Sequence, residues 1–336
     1  MKLAALVVLA ACAAAPSPPS YFATGETGVK TGGVRLVPIH TAKGDYHVWT
    51  KRFGSGPIKV LLLHGGPAAT HEYFEAFESF FPQAGIEFYE YDQLGSFYSD
   101  QPDDDSLWTI DRFVDEVDQV RAALGLDHFY LLGHSWGGIL ALEYALAHQD
   151  HLAGLVISNM MVSVPDYAEY AKVLAASMDP KVVARIHELE ATGKVDDPEY
   201  EKLLEDFYDQ HICRVVPFPD PVARAFKHLN KHVYTLMQGP SEFGVSGRLE
   251  KWDRKADLGK LTVPTLTIGG ANDTMDPKHM AWIATQVQRG TSLICPRGSH
   301  LSMYDDQEVY FAGLIEFLKA VDAGTFAKGM RVGAHE

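Results

Sequence analysis

The stretch Gly133-His134-Ser135-Trp136-Gly137-Gly138 decides the fold of this 336-residue chain. It lies between Phe129–Leu132, an apolar run typical of a buried strand, and Ile139–Ala147, an apolar run that predicts a helix. Glycines on both sides of Ser135 permit a tight turn that pushes the serine hydroxyl out of the sheet edge. A serine that only caps the helix would also fit the spacing. The strand-to-helix context favours a nucleophile at a helix N-terminus.

Other apolar runs predict further strands on both sides of this turn. They are Val60–Leu63, Ile86–Tyr91, Leu155–Ile157, Thr265–Ile268 and Ser292–Cys295. Helical patterns separate them, including one that Thr109 can cap and one from about Gln307 to Val321. Strands that are apolar throughout and alternate with helices indicate an α/β fold, with a mostly parallel central sheet flanked by helices.

The strand signals stop between about Asp166 and Trp252, where helical patterns replace them. One apolar stripe runs from Tyr200 to Tyr208, and another runs from Val222 to Met237. We therefore predict one α/β core, residues 21–164 and 255–336, into which a helical cap of residues 165–254 is inserted.

The composition excludes several classes of protein. The chain has 29 Lys and Arg against 44 Asp and Glu, a formal charge of −15, which disfavours nucleic-acid binding. Its three cysteines show no close pair of the zinc-site type, so we expect no metal site. Cys213 and Cys295 are expected to be free buried thiols, with a disulfide as the alternative. Nothing in the composition indicates an oligomeric state.

The N-terminus has the pattern of an export signal. Met1-Lys2 precedes the apolar run Leu3–Ala11, which is far shorter than the roughly 20 residues that cross a bilayer. Leu9-Ala10-Ala11-Cys12 resembles a bacterial lipobox, so we predict a lipoprotein-type signal peptide and tether over residues 1–20, with lipidation at Cys12. An ordinary cleaved signal is the alternative. The expected location is the periplasm, with membrane attachment only through this lipid anchor.

A serine nucleophile needs a base and an acid that orients the base. In this architecture they follow the serine in the order Asp or Glu, then His, each on a loop after a strand. Asp273 follows the strand Thr265–Ile268, and His300 follows the next strand. Asp276 competes for the acid role but precedes Pro277, as expected of a residue that begins a helix. The predicted catalytic residues are therefore Ser135, Asp273 and His300.

The loop His64-Gly65-Gly66-Pro67 follows an early strand and can approach a substrate carbonyl closely. An oxyanion hole needs two N–H donors, one from the residue after the nucleophile and one from such a loop. We assign these donors to the backbones of Trp136 and Gly66. His64 is interpreted as a hydrogen-bonding brace for the loop.

With these motifs in place, the chain resembles the α/β-hydrolase superfamily and, within it, the proline iminopeptidases and their amino-acid amidase relatives. Two further motifs carry the narrower resemblance: Tyr91-Asp92-Gln93-Leu94-Gly95, and Gly239-Pro240-Ser241-Glu242-Phe243 in the cap. The resemblance implies a serine mechanism without metal or cofactor, acting on short peptides or amino-acid amides. It also implies that Glu242 helps to hold the free amino group of the substrate, whereas a solvent-facing carboxylate is the plainer interpretation of Glu242.

The expected function is release of N-terminal amino acids, proline or another small or apolar residue, through an acyl-enzyme. An esterase, a lactonase or a carbon–carbon bond hydrolase would share the triad, and a non-catalytic binding protein would lack part of it. The sequence departs from the family pattern at Ala68, where glycine is usual, and at Ser96-Phe97-Tyr98-Ser99, where small residues are common. The aromatic residues are expected to reshape the pocket wall and put a strict proline preference in question.

Overall fold

The computed structural model describes residues 32–333, and an eight-stranded sheet with strand order β1-β2-β4-β3-β5-β6-β7-β8 forms their centre. The strands are β1 Val34–Thr41, β2 Gly44–Phe53, β3 Ile58–Leu63, β4 Ile86–Tyr91, β5 Phe129–His134, β6 Leu152–Ser158, β7 Thr265–Gly270 and β8 Gly290–Cys295. The pairs β1–β2 and β2–β4 are antiparallel, and all later neighbours are parallel. The predicted signal peptide and Cys12 lie outside the described residues.

The strand periodicity did not predict the β1–β2 hairpin. β1 is the first strand at one edge of the sheet, so only alternate side chains such as Val37 and Ile39 are buried, while Leu36 is exposed. Pro38 lies at an exposed position of this alternation, and proline is tolerated at such an edge. The strands that were predicted are buried along nearly their whole length, and this gives a much stronger signal in the sequence.

Helices cover both faces of the sheet and form the cap. They are α1 Ile110–Leu124, α2 Trp136–His148, α3 Val164–Ala175, α4 Pro180–Ala191, α5 Pro198–His211, α6 Asp220–Lys227, α7 Lys231–Met237, α8 Pro277–Gln286, α9 Ser302–Asp305 and α10 Gln307–Asp322. Short 3₁₀ helices include His71–Ser79, after the third strand. The cap helices α3 to α7 all lie between β6 and β7.

The apolar stripe from Val222 to Met237 forms two helices and not one. The side chain of Asn230 accepts the N–H of Val233 and so begins α7. The core holds this break, because the N–H of Asn230 donates to the Ala68 carbonyl at 3.0 Å and its side-chain amide donates to the Gly95 carbonyl at 2.9 Å. Contacts with residues remote in sequence therefore outweigh the local helical pattern.

Apolar side chains pack on each face of the sheet and within the cap. Phe113 of α1 and Ile139 of α2 belong to one large cluster, and Phe77 and Phe311 of α10 belong to the cluster on the opposite face. The cap has a smaller cluster of its own that includes Phe243. This packing fixes the strand ends from which the site residues project.

Two further observations concern the described part of the chain. Cys213 and Cys295 are buried free thiols, as expected. Over residues 32–333, we find no helix whose length and apolar character would suffice for crossing a bilayer.

Candidate active site

Ser135 occupies the turn between β5 and α2 in a backbone conformation that side chains rarely adopt, with φ 56° and ψ −129°. A Cβ at position 133 would lie 1.9 Å from the carbonyl oxygen of Gly137, and one at position 137 would lie 2.0 Å from that of Leu63. Both glycines are therefore required by close backbone approach. The Ser135 side chain makes no capping hydrogen bond, which argues against a purely structural cap.

Asp273 and His300 come together although 27 residues separate them in sequence. The Nδ1–H of His300 donates to Oδ1 of Asp273 at 2.8 Å, and both side chains are buried. The N–H of Met275 also donates to Oδ1, at 3.1 Å. Asp276, the competing acid, instead accepts the N–H of Lys278 at 2.8 Å and begins α8.

Burial and charge act in opposite directions on this pair. Burial disfavours the charged form of His300, but the adjacent Asp273 carboxylate together with the charges of Glu242 and Asp305 outweighs it, and the pKa of the imidazole is raised. Burial likewise opposes ionisation of Asp273, but His300 and the hydrogen bonds to the carboxylate lower its pKa. Asp273 is therefore a stable anion that favours a proton on His300, as a base that accepts a proton from serine requires.

The loop predicted to carry the oxyanion hole lies against the nucleophile. A Cβ at Gly65 would lie 2.8 Å from the Cβ of Ser135, and Gly66 has a φ of 108° that favours glycine. The N–H of Trp136 stands at the first position of α2, where no intrahelical acceptor exists. Gly66 lines the same cavity as Ser135 and His300.

His64 and Gln93 hold this loop in place. The Nδ1–H of His64 donates to the Gly65 carbonyl at 2.8 Å, and its Nε2 accepts the N–H of Gln93 at 3.1 Å. The side-chain amide of Gln93 donates to the His64 carbonyl at 2.9 Å and accepts from the indole N–H of Trp136 at 2.8 Å. This geometry explains why Gln93 accompanies the glycine loop: it joins both sides of the predicted oxyanion hole.

A cavity of about 760 Å³ lies between the core and the cap. Ser135, His300, Gly66 and Glu242 all line it. Apolar residues of the cap form much of its wall, including Leu204, Val222, Ala225, Phe226, Leu229 and Leu236. The predicted nucleophile, the predicted base and one cap carboxylate therefore face the same cavity.

Glu242 is partly buried and is held by tyrosine hydroxyls. Tyr234 donates to its Oε1 at 2.6 Å, and Tyr167 donates to its Oε2 at 3.3 Å and to its carbonyl oxygen at 2.8 Å. Burial and the neighbouring Glu242 charge raise the pKa of both tyrosines, so both remain donors at neutral pH. Glu242 is therefore an oriented carboxylate inside the cavity and not a solvent-facing one.

The positions of Phe97 and Tyr98 correct the prediction that these aromatic residues reshape the pocket wall. Neither residue lines the described cavity. The ring of Phe97 stacks on His228 with centroids 4.0 Å apart, and the Tyr98 hydroxyl donates to Glu72 at 3.0 Å. Both contacts lie at the junction of cap and core, because His228 also bonds Glu72. Phe97 and Tyr98 therefore contact the junction of cap and core and do not themselves form the cavity wall.

Sequence reasoning missed Asn159, the residue that follows β6. Its side-chain amide donates to Oδ2 of Asp273 at 2.7 Å and to the Ser299 carbonyl at 3.1 Å. Its φ of 52° is one that asparagine tolerates better than most residues. An asparagine directly after a parallel strand was the available signal, because the carboxyl ends of these strands all meet at the edge that carries the site.

The fold and the arrangement at the cavity define an α/β hydrolase with a serine at its nucleophile turn. The family model for the α/β hydrolase fold matches residues 59–307. The chain is 58% identical over 292 residues to the proline iminopeptidase of Flavobacterium johnsoniae, covering 85% of this chain and 98% of the relative. It is 57% identical to that of Elizabethkingia meningoseptica, covering 87% and 100%.

The crystal structure of proline iminopeptidase from Mycobacterium smegmatis superposes with a TM-score of 0.78 at 31% identity, covering 87% of this chain and 99% of that one. An esterase from Exiguobacterium antarcticum, at 18% identity and a TM-score of 0.59, covers 84% and 99% and shares the fold. The chain belongs to the proline iminopeptidase family of α/β hydrolases.

Proposed function

We propose that this protein is a serine aminopeptidase that releases N-terminal proline from short peptides or amino-acid amides. The observation that carries the proposal is the position of Glu242, whose oriented carboxylate faces the cavity that contains Ser135. A free amino terminus is cationic or a strong donor, and a partly desolvated carboxylate binds it by charge-assisted hydrogen bonds. The preference for proline rests on the name of the relatives that are 57–58% identical to this chain.

The reaction proceeds through an acyl-enzyme. Oγ of Ser135 attacks the carbonyl carbon of the first residue while Nε2 of His300 takes the hydroxyl proton. Asp273 holds the Nδ1–H of His300 and stabilises the imidazolium that forms. The oxyanion accepts hydrogen bonds from the N–H groups of Gly66 and Trp136. His300 then gives its proton to the leaving amine as the carbon–nitrogen bond breaks.

Water completes the cycle. His300 takes a proton from the water while the oxygen attacks the ester carbonyl, and the bond to Ser135 breaks as its oxygen recovers a proton from His300. The products are the free amino acid and the shortened peptide or amine. In each half-reaction His300 takes one proton from the attacking oxygen and gives one proton to the leaving group, so the neutral base is regenerated.

A panel of arylamides tests this proposal. The panel comprises proline, alanine and leucine arylamides, the N-acetylated proline arylamide and an aryl ester. We expect the free proline compound to have the highest kcat/KM and the N-acetyl compound to react roughly tenfold to 100-fold more slowly, since a charge-assisted bond contributes roughly 1.5–3 kcal/mol. Equal kinetics on free and N-acetylated substrates would contradict the aminopeptidase assignment.

The matched variants are Glu242→Gln and Glu205→Gln. The first removes the anchoring charge and is expected to raise KM for free amines while leaving the N-acetyl compound unaffected. The second removes a charge from an exposed position of α5 and should change neither. An esterase would show the opposite pattern, with the aryl ester as the best substrate and no effect of Glu242→Gln.

We also propose export and lipid attachment, which rest on the N-terminal sequence alone. Expression with a labelled fatty acid tests Cys12 as the acceptor, with Cys12→Ala as the control. Label in the membrane fraction that Cys12→Ala abolishes supports the anchor. An unlabelled protein released in soluble form from the periplasm would indicate an ordinary cleaved signal.

A further inference from the structure

We propose that Tyr73 and His134 are positioning residues that join the oxyanion loop to the loop of the catalytic base through one directed chain of hydrogen bonds. The inference rests on the proposed function, because it concerns how Gly66 and His300 are aimed at the same carbonyl group. Neither residue is needed to transfer a proton or to bind the oxyanion. They act by connecting the loop of Gly65 and Gly66 to the loop of His300.

Three hydrogen bonds form the chain. The N–H of Gly65 donates to the hydroxyl oxygen of Tyr73 at 2.6 Å, and this hydroxyl lies 3.1 Å from Nδ1 of His134. On the other side of the ring, Nε2 of His134 lies 2.8 Å from the carbonyl oxygen of His300. The residue before the nucleophile thus stands between the two loops that act on the substrate.

The chemistry of the atoms fixes the direction of every bond. A carbonyl oxygen can only accept, so the proton of His134 must reside on Nε2 and point to His300. Nδ1 of the neutral ring can then only accept, so the Tyr73 hydroxyl donates to it. The Tyr73 oxygen in turn accepts from the Gly65 N–H. Only the Nε2–H tautomer of His134 satisfies all three bonds; the other tautomer loses the bond to the His300 carbonyl and leaves the Tyr73 hydroxyl proton without this acceptor.

The surroundings keep His134 neutral. The side chain is 2% exposed, and burial together with the nearby His300 lowers its pKa to about 3. Tyr73 is also buried, which raises its pKa well above the ordinary value and keeps the hydroxyl protonated. The three hydrogen bonds therefore keep their directions while His300 gains and loses its proton during turnover.

The ends of the chain explain its effect on catalysis. The Gly65 N–H is committed to Tyr73, so the orientation of the next peptide, which carries the Gly66 N–H, is held relative to Ser135. At the other end, the His300 carbonyl is tied to the strand-to-helix turn that carries the nucleophile. A loosened chain should misplace the oxyanion donor and the base together, and misplacement of this kind reduces the rate of the chemical step.

Four variants test the chain. Tyr73→Phe removes the hydroxyl, and Tyr130→Phe is the matched control, since Tyr130 is a buried tyrosine whose hydroxyl donates to the Leu318 carbonyl at 3.3 Å. His134→Gln can retain a donor near the Nε2 position, and His134→Asn can retain an acceptor near the Nδ1 position. Each histidine variant thus preserves one half of the chain.

We expect Tyr73→Phe to lower kcat about tenfold, which corresponds to about 1.4 kcal/mol, with KM within about twofold of the parent, because the variant loses the hydroxyl that joins Gly65 to His134. Tyr130→Phe should retain the parent kcat. The double variant Tyr73→Phe, His134→Gln should be no slower than the slower single variant, because both cut the same bond. Multiplicative losses in the double variant, or equal kcat values for Tyr73→Phe and Tyr130→Phe, would overturn the proposal.

Nitrogen-15 NMR of histidine-labelled protein gives a readout that does not depend on activity. We expect one ring to remain the neutral Nε2–H tautomer from pH 5 to 9 and to disappear from the spectrum in His134→Gln. In Tyr73→Phe its Nδ1 resonance should shift. An Nδ1–H tautomer or a titrating ring at His134 would overturn the proposal. If the arylamide panel fails while these NMR results hold, the proposed function fails and the positioning chain stands.

Discussion

The main-chain N–H of His300 donates a hydrogen bond of 2.9 Å to the carbonyl oxygen of His211, the last residue of α5. The N–H of Leu301 donates to the Ile212 carbonyl at 2.8 Å, and the Nδ1–H of His211 donates to the Asn272 carbonyl at 2.8 Å. The end of one cap helix therefore holds the loops that carry both the acid and the base. The cap therefore contacts the loops of the predicted acid and base as well as covering the cavity.

His211→Ala is expected to lower kcat severalfold and the stability by about 1 kcal/mol, because it removes the bond from the ring to the Asn272 carbonyl. His211→Asn retains a donor near the Nδ1 position and should recover part of both losses. Steady-state kinetics and urea denaturation provide the measurements. If Ala and Asn variants behave identically, the side chain of His211 does not position the acid loop.

Substitution of Ser135 should separate activity from stability. Ser135→Ala and Ser135→Gly are both expected to lose turnover, since each lacks the nucleophilic hydroxyl. Strain at a φ of 56° is costly for alanine and small for glycine, so the Gly variant should be as stable as the Ala variant or up to about 2 kcal/mol more stable. Denaturant unfolding measures the difference. Residual turnover in both variants would remove Ser135 as the nucleophile.

The pH dependence of Ser135 reactivity should report the raised pKa of His300. The base must be neutral to accept a proton, so the reactivity should be lost as the pH falls through a value above the ordinary 6.5 of histidine. Burial disfavours the imidazolium, Asp273 favours it, and the Glu242 charge favours it further. Glu242→Gln removes one of these favourable charges and should therefore move the acidic limb to lower pH.

A neutral sulfonyl fluoride measures this profile best, because its rate of inactivation involves no substrate amine that titrates. Glu205→Gln, at an exposed position, serves as the control and should leave the profile unchanged. A shift of the Glu242→Gln limb to higher pH would contradict the electrostatic account of the site.

Substitution of Asn159 should affect the function of Asp273 more than the stability of the protein. Asn159→Ala and Asn159→Gly both remove the donor to Oδ2 of Asp273, so we expect each to lower kcat roughly tenfold to 100-fold, the loss of a charge-assisted bond of about 1.5–3 kcal/mol. The glycine variant accepts the φ of 52° without strain, whereas alanine does not, so only alanine should carry an additional loss of stability. Parent-like kcat in the glycine variant would show that this bond is dispensable.

Much of the candidate site could be predicted because its signals are local. The glycines around Ser135 reflect contacts within one strand–turn–helix unit, and the capping preference of Asp276 before Pro277 leaves Asp273 as the acid. The presence of the buried strands follows from their continuous apolar runs. These patterns depend on residues that are close together in the sequence, so they can be recognised without the structure.

The sequence by itself determined the α/β class, the nucleophile turn and the three residues expected to form the triad. The tertiary structure alone decided that Asn159 meets Asp273, that His134 joins two loops, that the stripe before Met237 breaks at Asn230, and that Phe97 supports the cap and not the pocket. Each of these outcomes is a contact between residues that are distant along the chain or a bond whose direction depends on its partner. Such contacts form only when the strands and the cap are packed together, and no local periodicity encodes them.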